Sequence, residues 1–155
     1  FEQMKVGRRS AKEEDTEFAR QVHHKAYHDV VVSQFGEWNE KAQDKFFKSG
    51  WKNGLHHEII LCDGVPCGYS SSEETDDLIT FNELVILPEF QGCGIGTRVL
   101  NEKIEKAKIK KIPARLQVLK ANKAIDLYQR LGAEIIGETD THLKMEFNPN
   151  KNKQV

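Results

Sequence analysis

The sequence predicts a mixed α/β (α+β) fold. The expected architecture is a central, mostly antiparallel twisted sheet of about seven strands, flanked by about four helices, in a single domain over residues 1–155. Three observations carry that expectation. Strand-type runs come in adjacent pairs around turn residues, above all Asp63-Gly64, where both positions tolerate the positive φ of a tight hairpin. Four other stretches change to the i, i+3, i+4 apolar spacing of a helix that buries one face. The helices interrupt a series made mostly of hairpins, which is the pattern of a mixed sheet.

Taken in order, Lys5 to Arg9 is a short first strand. Lys12-Glu13-Glu14-Asp15 places acids at a helix start, where they complement the positive pole. Phe18, Ala19, Val22, Ala26 and Val30 follow at helical spacing, and Trp38 to about Trp51 forms a second helix carrying Phe46 and Phe47. Glu58 to Cys62 and Val65 to Ser71 pair as a hairpin, with Cys62 opposite Val65 and Cys67 opposite Ile60. Leu78 to Leu87 is a longer strand, ended by Pro88. From Ile95 the spacing is helical again through Val99, Leu100, Ile104 and Ala107. Ala114 to Leu119 is a strand, and Ala124 to Leu131 a short helix closed by Gly132 at a left-handed cap. Glu134 to Ile136 and Thr141 to Phe147 form a last hairpin around Gly137. The tail from Asn148 onward is polar and expected to be disordered, and Phe1-Glu2-Gln3 reads as an added remnant before Met4.

Composition narrows the function classes. A net charge of −1 gives no global basic field of the kind that marks nucleic-acid binders. Lys103, Lys106, Lys108, Lys110 and Lys111 crowd one stretch, which reads as a solvated helix end at the negative pole. No apolar run approaches the ~18 residues of a membrane span, and no basic start followed by an apolar core marks an export signal. The three cysteines have no metal-like spacing. Free thiols without an export signal point to a reducing, cytoplasmic home, with the protein a monomer or a homodimer.

The most informative stretch runs Pro88-Glu89-Phe90-Gln91-Gly92-Cys93-Gly94-Ile95-Gly96-Thr97, between a strand and a helix. Its glycines let the backbone approach a ligand and aim several N–H groups at one place. The helix that follows adds unpaired N–H groups and a positive dipole end. Together these form a diphosphate site that needs no lysine. The Walker pattern is absent, because no Gly-Lys-Ser/Thr occurs. The dinucleotide fingerprint also fails, because Thr97 stands where its third glycine belongs and the next strand ends Gln117-Val118-Leu119 without an acid.

The pattern that fits is Gln/Arg-x-x-Gly-x-Gly/Ala, filled by Gln91, Gly94 and Gly96 after a strand ending at Pro88. It resembles the GNAT superfamily of N-acetyltransferases. Leu116 to Asn122 and Ala124 to Ala133 resemble the family's pattern of strand, Asn, helix with Leu-Tyr, and Gly-Phe, with Ala133 in place of the Phe and Tyr128 six residues after Asn122 where seven is common. The resemblance covers about Lys5 to Phe147. It implies a single acyltransferase domain with splayed central strands, and acetyl-CoA as the cosubstrate, with no metal. Leu84, Val85 and Ile86 would pair with the pantetheine amides, and Gln91, Gly92, Cys93, Gly94, Ile95, Gly96 and Thr97 would hold the pyrophosphate. A strand N–H would hold the oxyanion. Tyr128 matches the family's tyrosine that protonates the leaving thiolate, against the alternative of a core tyrosine beside Ile125 and Leu131. Asn122 caps the following helix, bonds the pantetheine, or does both. Glu83, on the central strand, is the candidate base, against the alternative of a salt-bridged or edge-facing glutamate.

The implied reaction is acetyl transfer to a primary amine by direct attack. The acceptor is a small metabolite, an antibiotic, a polyamine, or a peptide N-terminus or lysine. The alternatives are a non-catalytic module that binds or senses CoA, and a mononucleotide-binding protein. Cys93 has no identifiable base and reads as a small loop residue. His24 and His28 are four apart, as metal ligands can be, but no third ligand follows, and His56-His57 reads as solvated or core. Tyr27, Phe35, Trp38, Phe46, Phe47 and Trp51 read mostly as core, with one or two lining an acceptor pocket.

Overall fold

The computed structural model describes residues 4–150. Residues 1–3, expected to be a remnant, and residues 151–155 of the expected tail lie outside the described residues. The strands are β1 (Val6–Ser10), β2 (His57–Cys62), β3 (Val65–Glu74), β4 (Ile79–Ile86), β5 (Ala114–Leu119), β6 (Glu134–Glu138) and β7 (His142–Phe147). The α-helices are α1 (Thr16–Phe35), α2 (Glu40–Trp51), α3 (Ile95–Lys110) and α4 (Ala124–Arg130). The strands hydrogen-bond in the order β1-β2-β3-β4-β5-β7-β6. β1–β2, β2–β3, β5–β7 and β6–β7 are antiparallel, and β4–β5 is parallel. The expected mixed α/β architecture is therefore present, with seven strands and four α-helices among the described residues.

The chain packs as two compact units. One runs through Ser71 and takes in Glu83–Arg98; the other takes in Ser72–Asn82 and continues from Val99. In the first unit, α1 and α2 bury Ala19, Val22, Phe47 and Trp51 in one cluster with Ile59, Tyr69 and Val85. Each large apolar side chain there contributes roughly 1.5–3 kcal/mol by leaving water. α2 starts because the Asn39 side chain accepts a 3.0 Å hydrogen bond from the Ala42 N–H. Its last residue is fixed by the Trp51 indole, which donates to Thr16 Oγ1 at 2.9 Å. The β2–β3 hairpin turns at Asp63 (φ 49°) and Gly64 (φ 83°), as the sequence requires.

Two registers differ from expectation. Cys62 pairs with Val65 as expected, but the ladder shifts between Ile60 and Leu61, so Ile60 faces Gly68 and Leu61 faces Pro66. Cys67 is the extra residue of this bulge, and its carbonyl accepts from the Leu87 N–H at 2.8 Å. Gly137 is not the turn of the last hairpin. It sits at a register shift within β6, and the turn lies at Thr139–His142, where the Thr139 N–H reaches the His142 carbonyl at 2.9 Å.

In the second unit, β5 pairs with β7 over its whole length, from Ala114↔Phe147 to Leu119↔His142. β4 pairs with β5 over Ile79–Phe81. The Arg115 guanidinium meets Glu146 at 2.7 Å across β5 and β7. Lys106 and Lys110 both reach Glu74, at 3.0 and 2.8 Å, so part of the lysine cluster anchors α3 to the end of β3. At the start of the expected tail, the Asn150 side chain donates to the Lys111 carbonyl at 2.9 Å.

Candidate active site

β4 ends at Ile86 and the chain enters the glycine loop through a 3₁₀ turn, Pro88–Phe90. The Gln91 side chain folds back and donates to the Ile86 carbonyl at 2.9 Å, bracing the loop on the strand. Gly92 and Gly94 both take positive φ, 78° and 86°. No heavy atom would lie within 4 Å of a Cβ at either position, so both face open space. Alternating left-handed residues turn successive N–H groups to one side and make an anion-binding concavity. The Arg98 N–H donates to the Gly94 carbonyl at 3.0 Å, which makes Gly94 the residue that opens α3. By helix geometry, the Ile95, Gly96 and Thr97 N–H groups then have no acceptor inside the helix. Cys93, exposed within the loop, has its thiol 3.7 Å from the Gln91 carbonyl.

Glu83 lies three residues before the end of β4, in the same unit as the loop. Its Oε1 is 3.3 Å from His57 Nε2. The His57 side chain is 4% exposed and that of Glu83 26%. The other ring nitrogen, Nδ1, lies 3.2 Å from the Leu55 carbonyl. Burial works against the imidazolium, but the hydrogen bonds to Glu83 and Leu55 and the Glu83 charge outweigh it. His57 therefore titrates above its ordinary 6.5. Trp51 and Tyr69 pack on the imidazole, with ring centroids 4.7 and 5.8 Å away. The Tyr69 hydroxyl is buried and faces the Glu83 carboxylate. Burial and then the Glu83 charge push its pKa well up, so it remains a neutral phenol. From α2, Gly50 lies against the carboxylate: a Cβ there would sit 2.9 Å from Glu83 Oε1. From α1, His23 is held at about 4 by burial and by His24, partly offset by Glu83 and Asp44, and so is neutral at neutral pH.

In the second unit, Asn122 Oδ1 accepts from the Ala124 N–H at 2.8 Å, an Asx turn that leads into α4, while Lys123 holds the N-cap position. Tyr128 is half-buried on α4, and burial raises its phenol pKa.

The acetyltransferase (GNAT) domain family matches residues 54–132, just over half of the chain. The chain belongs to the GNAT acetyltransferase family. It is 34% identical over 100 residues to an uncharacterized N-acetyltransferase of Methanocaldococcus jannaschii, a match over 63% of this chain and 43% of that relative. The chain thus spans less than half the length of the curated relative it matches. The fold is similar to that of the PaiA N-acetyltransferase from Thermoplasma acidophilum, solved in complex with coenzyme A. That likeness has a TM-score of 0.75 at 18% identity and covers 93% of this chain and 99% of that one. It is also similar to the ribosomal-protein-S18-alanine N-acetyltransferase of Escherichia coli, with a TM-score of 0.64 at 18% identity over 97% and 100% of the two chains. The expected fold class and membership in an acyltransferase family are both shown.

Within this GNAT chain, the first unit brings together Glu83, Leu84, Val85, Ile86 and the loop from Gln91 to Thr97, while Asn122 and Tyr128 belong to the second. Val85 and Ile86 are buried, and Leu84 is half-buried. Sequence reading took His57 as a solvated or core histidine and passed over Tyr69. The signal that could have found His57 is its place at the start of β2, two strands along the sheet from the strand that carries Glu83. The histidines weighed as metal ligands do not converge: His24 Nε2 lies 2.7 Å from Asp44, and His28 Nδ1 lies 3.0 Å from Asp29. His24, Glu40 and Asp44 do bring ligand-type atoms within 4.8 Å of one another. However, the Arg20 guanidinium reaches both carboxylates, at 2.8 Å (Asp44) and 3.0 Å (Glu40), and supplies the balancing charge. Among the described residues, no helix is long and apolar enough to cross a membrane.

Proposed function

We propose that this GNAT chain is an N-acetyltransferase that moves the acetyl group of acetyl-CoA to a primary amine by direct attack, with no covalent enzyme intermediate. The observation that carries the reading is the loop from Gln91 to Thr97, whose two left-handed glycines open straight into α3. The main-chain N–H groups of Gly92, Cys93, Gly94, Ile95, Gly96 and Thr97 hold the pyrophosphate, and Gln91 keeps the loop in place through Ile86. The backbone of Leu84, Val85 and Ile86 pairs with the pantetheine amides, as a ligand adding to a sheet.

The chemistry follows from these roles. The amine nitrogen attacks the thioester carbonyl, and a β4 N–H stabilises the oxyanion. Glu83 takes a proton from the amine. The C–S bond breaks, and Tyr128, a phenol kept neutral by burial, protonates the thiolate. Asn122 orders the turn into α4, the helix that carries Tyr128, and adds a polar group for the pantetheine. Positioning and electrostatics supply the catalysis, and no metal is required. The three free cysteines fit a reducing, cytoplasmic compartment.

Thiol release from acetyl-CoA tests the reading, with an alkyl diamine, a polyamine, a lysyl peptide and an alanyl peptide as acceptor probes. The expected result is release above the amine-free rate with at least one probe, matched by one acetyl group on that amine in its mass spectrum. CoA binding with no release for any of the probes would leave a CoA-binding module without transferase chemistry.

A further inference from the structure

We propose that His57 and Glu83 act as one proton-accepting unit, in which His57 is the positioning residue that fixes the carboxylate and carries the stored proton. This rests on the reading of Glu83 as the base. The geometry that carries it is the pair of acceptors around one imidazole, the Leu55 carbonyl at Nδ1 and the Glu83 carboxylate at Nε2, at 3.2 and 3.3 Å. A neutral imidazole has one N–H and can satisfy only one of them. With the proton on Nδ1, a lone pair on Nε2 faces the carboxylate. Adding a proton to Nε2 satisfies both contacts, so the pair stores a proton well.

The remaining groups around the pair favour this division of labour. Tyr69 on β3 remains a neutral phenol, and His23 on α1 is neutral at neutral pH. Tyr27, also on α1, bears on Tyr69, while His24 and Asp44 bear on His23. Trp51 on α2 packs on the imidazole, and Gly50 leaves room for the carboxylate. Of these groups, the charge bonded directly to Glu83 is that of His57. The raised titration of His57 agrees with the geometry. A carboxylate alone is a weak base toward an ammonium ion; coupled to an imidazole, the pair titrates nearer the working pH, where general bases are most effective.

The proton balance closes. The ammonium form of the acceptor gives one proton to Glu83, which shares it with His57 Nε2, and the free amine attacks. The nitrogen sheds a second proton as the C–N bond forms, and this balances the one taken up by the departing thiolate. After turnover the imidazolium returns its proton to water.

The test has two arms. In the first, the His57 ring is titrated by NMR in the free protein, wild type against Glu83→Gln. The expected result is a pKa above 6.5 in the wild type and a clear fall in the variant; a pKa unmoved by the variant overturns the proposal. In the second, kcat/KM is followed against pH with propylamine and an alanyl peptide as probes. His57→Gln keeps an N–H donor for the carboxylate but cannot titrate. It should move the acid limb of the profile down by about one unit or more, whereas loss of packing alone would lower the plateau and leave the limb in place. Glu83→Gln should lower kcat by ~10²-fold or more. Coupled titration with full kcat in Glu83→Gln overturns both the base and the unit. Low kcat in Glu83→Gln with uncoupled titration keeps the base and sinks the unit.

Discussion

At the scale of residues, legibility depended on whether a role is local. The glycine loop could be read directly, because the need for positive φ at Gly92 and Gly94 is written into the residue type. Glu83 was legible as a candidate, but its partner was not. His57 is 26 positions away in sequence, and only the order of β2, β3 and β4 in the sheet brings it within reach. Tyr128 was legible through its helix, and its test is Tyr128→Phe, which keeps the ring and its packing. The variant should lose ~10²-fold in kcat with little change in acetyl-CoA affinity, measured where chemistry limits the rate. Full kcat would return Tyr128 to a packing role.

His23 gives a pH-dependent prediction. Its folded pKa of about 4 lies below the ordinary 6.5. The unfolded chain therefore binds a proton first as pH falls, so the stability that His23 contributes is present above 6.5 and lost on the way down to about 4. His57 acts with the opposite sign in a higher window: its contribution is full below 6.5 and lost as pH rises through its raised pKa. Comparing wild type with His23→Phe isolates the first effect. Between pH 7 and pH 5 the wild type should lose roughly 1–2 kcal/mol more than the variant by chemical denaturation. Equal losses would mean that His23 is already solvated in the folded state.

At the scale of elements, the hairpin of β2 and β3 shows both success and failure. Its turn was readable because Asp63-Gly64 has one favoured conformation. The bulge at Cys67 was not, because it answers a demand from β4. Gly68 approaches that strand so closely that a Cβ would sit 2.2 Å from the Val85 carbonyl. The sequence shows a glycine in a strand but not the backbone that requires it. Gly68→Ala should therefore cost about 1–3 kcal/mol, as overpacked sites do, and lower the melting temperature. A variant as stable as wild type would show that β3 can move away from β4 freely. Gly137 is the mirror case: it was read as a turn residue but pairs with Lys144 next to the bulge at Ile136, while Thr139 closes the turn with its own backbone and side chain.

At the scale of the whole molecule, the order of strands and helices was readable because each element has its own periodicity and its own stop signal. The division into two compact units was not, because it cuts through β3, β4 and α3, whose local patterns run on unbroken. Ligand linkage acts at this scale. If the loop binds CoA in the folded protein alone, CoA at a hundred times its dissociation constant adds about 2.7 kcal/mol of stability, seen as a rise in melting temperature. The most direct test of the account is a calorimetric titration of CoA into the wild type and into Gly94→Val. There is room for a side chain at Gly94, but its φ of 86° suits glycine, and a valine there would crowd the N–H groups of the loop. The variant should stay folded and bind CoA about tenfold or more weakly, a loss of at least ~1.4 kcal/mol. Equal affinity in the two proteins, or no heat of binding at millimolar CoA in folded wild type, would contradict it.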